Sequence, residues 1–370
     1  MPGAYPSGVR VVLDATVVAP HQKGTGRVVQ NLVAALPPAA PHHDFIAFAF
    51  PEGVSLLPPS EQNLLVKAIE PRRSLVWELR DLPRLATTER ADAVLSLREI
   101  VGFGGPPAVM HVAEPPAYRL GGRIASRRAR VIAKDVLLQA MLGGSVRRAA
   151  RVTAASEATA SWLRDRYGIE PPVIPPGIDP FFVERAEAGP SASRYFLHAA
   201  SGDARDNTEL VLTAFAEARV AADGIELMLV GTPPAEQDRL ARVAARLRIA
   251  DSLGFAGWVT DARLRELYRD ALALVQPSRF EGFAGLQPLE AMAQGTAVVA
   301  LDAPGVTEAL GSAAELVPKD RPDLLAAALR TLAMNDSLRS QLGEAGRVRA
   351  QTFTWARAAS AFAEVLQGIG

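Results

Sequence analysis

The segment Pro277–Ala293, PSRFEGFAGLQPLEAMA, places a glycine-rich turn and two glutamates between a strand and a helix. The preceding residues 271–276, ALALVQ, are apolar up to the last one, which predicts a strand buried in a parallel sheet. A helix is predicted from about Gln287, because Pro288 suits a first helical turn. Free N–H groups and the positive end of the dipole at a helix start attract anions, so the segment predicts a phosphate-bearing ligand.

Glycines also end strands for purely structural reasons, so the functional hypothesis depends on the two glutamates, Glu281 and Glu290. With the continuation 294–300, QGTAVVA, the segment resembles the donor-site motif of family 4 of the retaining glycosyltransferases, which use nucleotide sugars. The resemblance implies that Glu281 contacts the donor sugar as a catalytic residue and that Glu290 accepts hydrogen bonds from ribose hydroxyls. It also implies donor contacts from the turn between them, which comprises Gly282, Phe283, Ala284, Gly285 and Leu286. Compared with the family motif, Ala284 is one extra residue.

Length and composition limit the alternatives. The chain has 370 residues, enough for two domains, and a formal net charge of zero, which gives no indication of nucleic acid as a partner. It has no cysteine, which excludes disulfides, cysteine nucleophiles and thiolate metal sites. Residues 1–8 lack an apolar core, and no run approaches the roughly 18 apolar residues of a membrane span, so we expect a cytoplasmic protein.

Short apolar strands alternate with amphipathic helices in both halves of the chain, which predicts an α/β protein with parallel sheets. One domain is predicted over 1–185 and another over 190–352, with a polar, small-residue linker over 181–194. Strands of the first half are predicted at 9–13, 44–50, 63–68, 93–96, 108–112, 151–155 and 172–174. Those of the second half are predicted at 195–199, 226–230, 253–256 and 271–276, with helices at 208–218, 235–247 and 261–270.

The family resemblance extends along the chain. Residues 23–36, KGTGRVVQNLVAAL, resemble the family's first loop and helix, and 173–179, VIPPGID, resemble its hinge. The turn 256–261, AGWVTD, is similar to one whose backbone lies near the nucleotide base. The fold that this implies is GT-B, two facing Rossmann-like doubly wound domains with an interdomain cleft. The N-terminal domain would bind the acceptor, the C-terminal domain the nucleotide sugar, and a last helix within 354–370 would cross back to the first domain.

These matches add candidate donor contacts outside the central motif. Gly24 and Gly26 lie between a strand and a helix, where a residue without Cβ lets a diphosphate approach the backbone, although a tight turn is the structural alternative. Arg27 is either a further phosphate ligand or a surface residue of the first helical turn. Trp258 and Val259 lie in the turn that resembles the base-binding one.

His111 ends the predicted strand 108–112 and matches the histidine that family members place beside the donor sugar. A lone histidine is more often structural, but the carboxyl end of a parallel strand is where ligands bind. We therefore treat His111 as a catalytic candidate that hydrogen bonds to the sugar or handles a proton. Val112 replaces the aspartate that follows this histidine in the family.

The segment 199–207, AASGDARDN, departs most from the family pattern. Family members carry an arginine and a lysine here, which neutralise the departing diphosphate, whereas Asp206 replaces the lysine and Ala200 or Ser201 the arginine. A carboxylate beside a diphosphate is repulsive. Arg205 is the remaining cation that could bind phosphate through its planar fork.

Other features point to no additional cofactor. No Asp-x-Asp pair ends a strand and no cluster has metal-ligand spacing, so no metal is predicted. The basic stretch 119–151 is a candidate for weak contact with an anionic membrane surface, with a solvated helix face as the alternative.

The sequence thus predicts a retaining glycosyltransferase that moves a sugar from a nucleoside diphosphate donor to a glycan, lipid-linked or small-molecule acceptor. One alternative is a non-catalytic or altered GT-B protein that acts as a binding or accessory partner, motivated by Asp206 and Ala284. Another is a different enzyme of the same fold, such as a phosphorylase or an epimerase. A phosphorylase would need a lysine for its cofactor, and the second domain offers only Lys319.

Overall fold

The computed structural model describes residues 8–20, 24–71, 74–115, 140–184, 194–278, 282–319 and 321–369. These residues form two compact units, which are described separately. The first unit contains the described residues up to 177 together with those from 354 onward. The second unit is Ile178–Phe353.

A six-stranded parallel sheet forms the centre of the first unit, in the order β3-β2-β1-β4-β5-β6. In β1, Val11 and Leu13 are almost fully buried, and Val12 pairs with Ile46 on one side and Val94 on the other. Burial on both faces explains why these strands are apolar runs without alternation. The strands are Arg10–Asp14, Asp44–Ala49, Leu64–Ala68, Ala93–Ser96, Ala108–Val112 and Arg151–Ala154.

Helices cover both faces of this sheet. Their bounds are α1 Gly24–Ala39, α2 Pro51–Val54, α3 Ser74–Val76, α4 Leu82–Thr88, α5 140–148, α6 Glu157–Tyr167 and α15 Trp355–Gln367, with a π-helical turn at Trp77–Asp81 before α4. The last helix, α15, packs against α1, and Phe362 and Leu366 share an apolar cluster with Leu32 and Leu36. The chain therefore returns at its C-terminal end to complete the core of the first unit.

The second unit repeats this architecture with a six-stranded parallel sheet in the order β12-β11-β10-β7-β8-β9. Its strands are β7 Tyr195–Ala199, β8 Glu226–Val230, β9 Leu253–Gly257, β10 Ala273–Gln276, β11 Ala297–Leu301 and β12 Glu315–Val317. Its helices are α7 Pro180–Val183, α8 Thr208–Ala218, α9 Pro234–Leu247, α10 Asp261–Asp270, α11 Leu286–Ala293, α12 Pro304–Leu310, α13 Pro322–Met334 and α14 Asp336–Ala350. In both sheets the order reverses at an inner strand, which creates the crevice where doubly wound folds bind ligands.

Two predicted elements differ from the structure. Residues 172–174 form only an isolated bridge between Val173 and Ala154 instead of a strand, because the surrounding prolines have no N–H to donate to a ladder. The predicted linker is wrong at its start, since α7 follows Asp179 and Phe182 is fully buried in the second unit. Within the described part of the chain, the helices are too short or too polar to span a bilayer.

Candidate functional site

The described donor candidates of the second unit lie in the segments that follow β7, β9 and β10, and two of them, Leu286 and Glu290, belong to α11. Since all strands of this sheet are parallel, their carboxyl ends meet at one edge, where ligands of open α/β sheets bind. The amide nitrogen of Gly231, directly after β8, donates to the carbonyl of Gly257 at the end of β9 at 2.7 Å and so ties the two strand ends together. Asn207 adds another link, because its Nδ2 donates to the carbonyl of Pro277 at 3.3 Å.

Gly285 sets the start of α11. Its φ of 81° and ψ of 171° belong to a region that is almost exclusive to glycine, and no side chain of the described residues caps this helix. The backbone N–H groups of the first turn are therefore the donors that an anion could use. The helix begins at Leu286, one residue before its predicted start, so Ala284 lies in the loop and Glu290 in the helix.

The turn before Gly285 is packed tightly into the second unit. A Cβ on Gly305 would lie 2.1 Å from the carbonyl oxygen of Gly282, so the two backbones are in direct contact. The ring of Phe283 is buried edge-on against Phe353 at 5.7 Å, and Ala284 is also buried. The side chain of Phe283 is thus part of the hydrophobic core. Its backbone is the part of this residue that could contact a ligand. Glu281, the first glutamate of the motif, lies outside the described residues.

Glu290 is held rigidly within α11. Its side chain is buried, and the hydroxyl of Tyr268 donates to its Oε2 at 3.0 Å. Tyr268 is itself buried, and its carbonyl accepts from the hydroxyl of Thr296 at 2.6 Å. This chain of bonds fixes one carboxylate oxygen of Glu290 near the start of the helix.

Asp206, which replaces the family's lysine, folds the loop after β7. Its Oδ2 accepts from the N–H and the hydroxyl of Ser201, at 2.6 and 2.9 Å, and from the N–H of Asp203 at 3.2 Å. Burial raises the pKa of the Asp206 carboxyl, although the hydrogen bonds from Ser201 oppose this shift. The carboxylate is therefore an internal cap of the 3-10 turn Ala204–Asp206, a role that the residue type alone does not reveal.

Arg205, the predicted phosphate ligand, is paired within the same turn. Its Nη2 lies 3.1 Å from Oδ2 of Asp203, and its Nε donates to Oδ1 of Asp203 at 3.2 Å. About a third of its side chain stays accessible to solvent (31%). Because Asp203 is close, Arg205 brings less positive charge to this edge than an unpaired arginine would.

Trp258 and Val259 follow the carboxyl end of β9. Trp258 is 47% exposed, which is unusual for a large apolar side chain, and it comes directly after Gly257, whose φ is 62°. An exposed aromatic ring at the ligand edge of the sheet offers a stacking surface for a planar base.

In the first unit, Gly24 and Gly26 form the start of α1. Gly24 is exposed, and among the described residues a Cβ there would have no neighbour within 4 Å, so these neighbours do not demand a glycine at this position. Gly26 is buried and Arg27 is half-buried.

His111 lies in β5 and is buried. Its Nδ1 shares a hydrogen bond of 2.9 Å with Oγ1 of Thr153, and its ring packs edge-on against Phe362 of α15 at 5.2 Å. Burial lowers the pKa of His111 to about 4, because the charged imidazolium loses its hydration. The imidazole is neutral at physiological pH and suits hydrogen bonding better than charge stabilisation.

A second buried histidine had no recognisable context in the sequence beyond its place at a strand end. The Nδ1 of His198 bonds to the carbonyl of Val275 at 2.8 Å, and its Nε2 bonds to Oγ1 of Thr208 at 3.0 Å. Burial lowers the pKa of His198 to about 4. With both ring nitrogens engaged, His198 joins β7, β10 and the start of α8.

Most of the basic stretch 119–151 lies outside the described residues. Of its described part, Arg148 donates to the carbonyl of Val101 at 2.7 Å and stacks on the ring of Phe103. Arg148 is thus engaged within the first unit. Among the described residues, no group of three or more His, Asp or Glu side chains is arranged to hold a metal ion.

Comparison with known proteins agrees with this architecture. Residues 22–181 match the family described as "Glycosyltransferase Family 4", and residues 183–349 match "Glycosyl transferases group 1". The Anabaena protein HepE, solved in complex with UDP-glucose, superposes with a TM-score of 0.72 and 16% identity over 97% of this chain and all of its own. The fold is GT-B, as the sequence predicted.

Two curated relatives are similar over part of the chain. The D-inositol 3-phosphate glycosyltransferase of Streptomyces bingchenggensis is 37% identical over 36% of this chain and 30% of its own length. The phosphatidyl-myo-inositol mannosyltransferase of Mycobacterium tuberculosis is 30% identical over 58% of this chain and 59% of its own length. The matched stretches thus span less than two thirds of these relatives. With both halves matched to glycosyltransferase families, the chain belongs to family 4 of the glycosyltransferases, which confirms the resemblance noted in the sequence.

Proposed function

We propose that the chain transfers a glycosyl group from a nucleoside diphosphate sugar, with retention of the anomeric configuration. The observation that carries the proposal is the ligand edge of the second sheet, where an open helix start at Gly285, the buried Glu290, the partly exposed Arg205 and the exposed Trp258 follow parallel strands. The similarity to HepE, which was solved with UDP-glucose, supports a nucleotide sugar as the donor.

Each candidate donor residue suits one part of such a donor. Trp258 and Val259 would receive the base, and the carboxylate of Glu290 would accept the ribose hydroxyls. The first turn of α11, the N–H groups around Gly24 and Gly26, and the cations Arg205 and Arg27 would stabilise charge on the departing diphosphate. Glu281 and His111 would orient the sugar.

The electrostatics of the site favour a mechanism without a charged histidine. The low pKa of His111 keeps its ring neutral, so we assign it a hydrogen bond to the donor sugar and no proton transfer. The leaving diphosphate would accept the proton of the acceptor hydroxyl as the bond to the anomeric carbon breaks. We expect no metal requirement, because negative charge would be met by backbone dipoles and arginines.

The acceptor is proposed to be a hydroxyl of a sugar or of a phosphorylated cyclic polyol. The names of the two relatives make D-inositol 3-phosphate and phosphatidylinositol the first compounds to test. The test is to incubate the purified chain with these acceptors and with UDP-glucose or GDP-mannose, and to analyse the products by NMR. An α-linked product from an α-linked donor supports retention, and a β-linked product contradicts it.

A non-catalytic binding protein is the second candidate, favoured by the pairing of Arg205 with Asp203 and by the loss of the family's lysine. Product formation that Glu281→Ala abolishes would refute it. Tight nucleotide binding without turnover of any donor and acceptor pair would support it. Glu266→Ala, which removes an exposed glutamate of α10, is the matched control and should leave turnover unchanged.

A further inference from the structure

Glu99, in the loop after β4, has an unusual backbone and a buried charge. Its φ is 63°, in the left-handed region, yet it carries a long side chain, and it is only 8% exposed. A non-glycine residue at positive φ and a carboxylate removed from water both cost stability. A residue that combines the two is expected to be held by specific interactions.

The carboxylate of Glu99 bonds to the chain that leaves β5. Its Oε1 accepts from the amide nitrogens of Ala113 at 3.2 Å and Glu114 at 3.4 Å. These are the second and third residues after His111, where the strand has ended and its ladder no longer provides acceptors. A single carboxylate oxygen therefore holds both N–H groups of this exit segment.

The carbonyl groups of the same segment are held from the other side. The carbonyl of Val112 accepts from the N–H of Ala155 at 3.0 Å, and the carbonyl of Ala113 accepts from the hydroxyl of Thr159 at 3.5 Å. Glu99 and the start of α6 thus clamp residues 112–114 between them. The segment directly beyond His111 is fixed through both its donors and its acceptors.

The loop that carries Glu99 is itself anchored. The hydroxyl of Ser96 donates to the carbonyl of Ile100 at 2.8 Å, and the hydroxyl of Ser145 accepts from the N–H of Val101 at 3.0 Å. Arg148 donates to the carbonyl of Val101 at 2.7 Å. These bonds fix the loop, and with it the side chain of Glu99, relative to β4 and α5.

We propose that Glu99 is a positioning residue for glycosyl transfer: it fixes the exit of β5 and so sets the place of His111 and of the backbone that follows it. This inference rests on the proposed function, in which His111 contacts the donor sugar. Glu99 would not touch the substrate. It would act by keeping the histidine and residues 112–114 in one arrangement.

Two substitutions of Glu99 test whether it acts as a hydrogen-bond acceptor that positions the segment or through its negative charge. Glu99→Gln keeps an oxygen acceptor of the same length, whereas Glu99→Ala removes it. We expect Glu99→Ala to lower kcat by about ten- to a hundredfold, as small misplacements of catalytic groups do, with the donor KM within about twofold of the wild type. Glu99→Gln should recover most of kcat. Glu170→Ala, which removes an exposed glutamate of the same unit, should leave kcat unchanged.

Amide hydrogen exchange provides a readout that is independent of activity. Exchange at Ala113 and Glu114 should accelerate in Glu99→Ala and stay slow in Glu99→Gln. Wild-type kcat in Glu99→Ala, equal losses in both variants, or unchanged exchange in Glu99→Ala would each overturn the proposal. If the wild-type chain transfers no sugar, the proposed function fails, and the exchange comparison still decides whether Glu99 holds the exit segment.

Discussion

His111 and His198 are both buried and neutral, and both are therefore expected to respond to acid in the same way. Burial lowers each pKa from 6.5 to about 4. In the unfolded chain both rings regain a normal pKa and therefore take up protons at a higher pH than in the folded chain. The stability that these neutral rings contribute is present above about pH 6.5 and is lost as the pH falls toward 4.

We expect the free energy of unfolding to fall by about 2 kcal/mol for each of these histidines between pH 7.5 and 5.0, which follows from proton linkage. Urea denaturation at the two pH values measures it. The free energy of unfolding of His198→Gln should be lower than that of the wild type at pH 7.5. It should also differ less between the two pH values than it does in the wild type. An unchanged pH difference in His198→Gln would contradict this explanation.

Asp206 shows how a residue type can mislead about a role. From the sequence it was a carboxylate in the place of a phosphate-binding lysine, and repulsion was the expected consequence. The structure gives it three donors from Ser201 and Asp203. The sequence could not reveal this cap, because it depends on the 3-10 turn that brings position 206 back to position 201.

The family's lysine should therefore not restore a better donor site. Asp206→Lys removes the acceptor for three donors, so we expect a loss of about 2 to 3 kcal/mol in the free energy of unfolding and weaker UDP binding than in the wild type. Asp206→Asn keeps an oxygen and should be affected less. Thermal denaturation and calorimetric titration with UDP provide the two measurements. Tighter UDP binding by a stable Asp206→Lys protein would show that the cap is dispensable.

At the scale of elements, the start of α11 depends on Gly285. The φ and ψ of this residue are almost inaccessible to other residues, and no side chain of the described residues caps the helix to compensate. We expect Gly285→Ala to lower the free energy of unfolding by about 1 to 3 kcal/mol and to weaken nucleotide binding more than tenfold, because the N–H groups of the first turn would be displaced.

Gly143→Ala is the matched control for this substitution. It lies in α5, where the nearest atoms to a Cβ, among the described residues, belong to Tyr167 at an ordinary distance of 3.5 Å. Stability should stay the same or increase, since alanine favours helices. Equal stability and nucleotide binding in Gly285→Ala and the wild type would show that the helix start tolerates a different backbone.

The sequence predicted most of the strands, but it missed β11 and β12 and wrongly placed a strand at 172–174. β10 is an apolar run up to its last residue, Gln276, and such runs in alternation with helices indicate a parallel sheet. The sequence could not predict the positions of side chains that serve two purposes. Phe283 belongs to a donor motif but packs against Phe353, seventy residues away in the chain. The role of Glu99 cannot be predicted from the sequence, because the sequence does not reveal its backbone angle φ.

At the scale of the whole molecule, two six-stranded sheets of the same type divide the chain into units with separate cores. The motif that predicted the donor site belongs to the second unit, and His111 and Glu99 belong to the first. The family matches cover both halves of the chain. Because a fold does not determine a reaction, the proposed reaction depends on the residues at the ligand edges of the sheets.

Glycosyl transfer by these residues should not require a divalent metal. The described residues contain no cluster suited to one, and the proposed charge stabilisation uses arginines and helix N–H groups. We expect kcat in excess EDTA to be within about twofold of its value in Mg²⁺, measured by release of the nucleoside diphosphate. Restoration of an EDTA-inactivated enzyme by Mg²⁺ or Mn²⁺ would contradict this mechanism.

Every step proposed for this chain requires that the second unit bind the nucleoside diphosphate of a sugar donor. The most direct test is the thermal stability of the wild type and of Glu290→Ala with UDP, GDP, ADP and TDP at millimolar concentration. A ligand at about 100 times its Kd stabilises a protein by about 2.7 kcal/mol, enough for a clear rise in melting temperature. We predict that one nucleotide raises the melting temperature of the wild type and that Glu290→Ala loses the effect. No rise with any of the four nucleotides would contradict the claim.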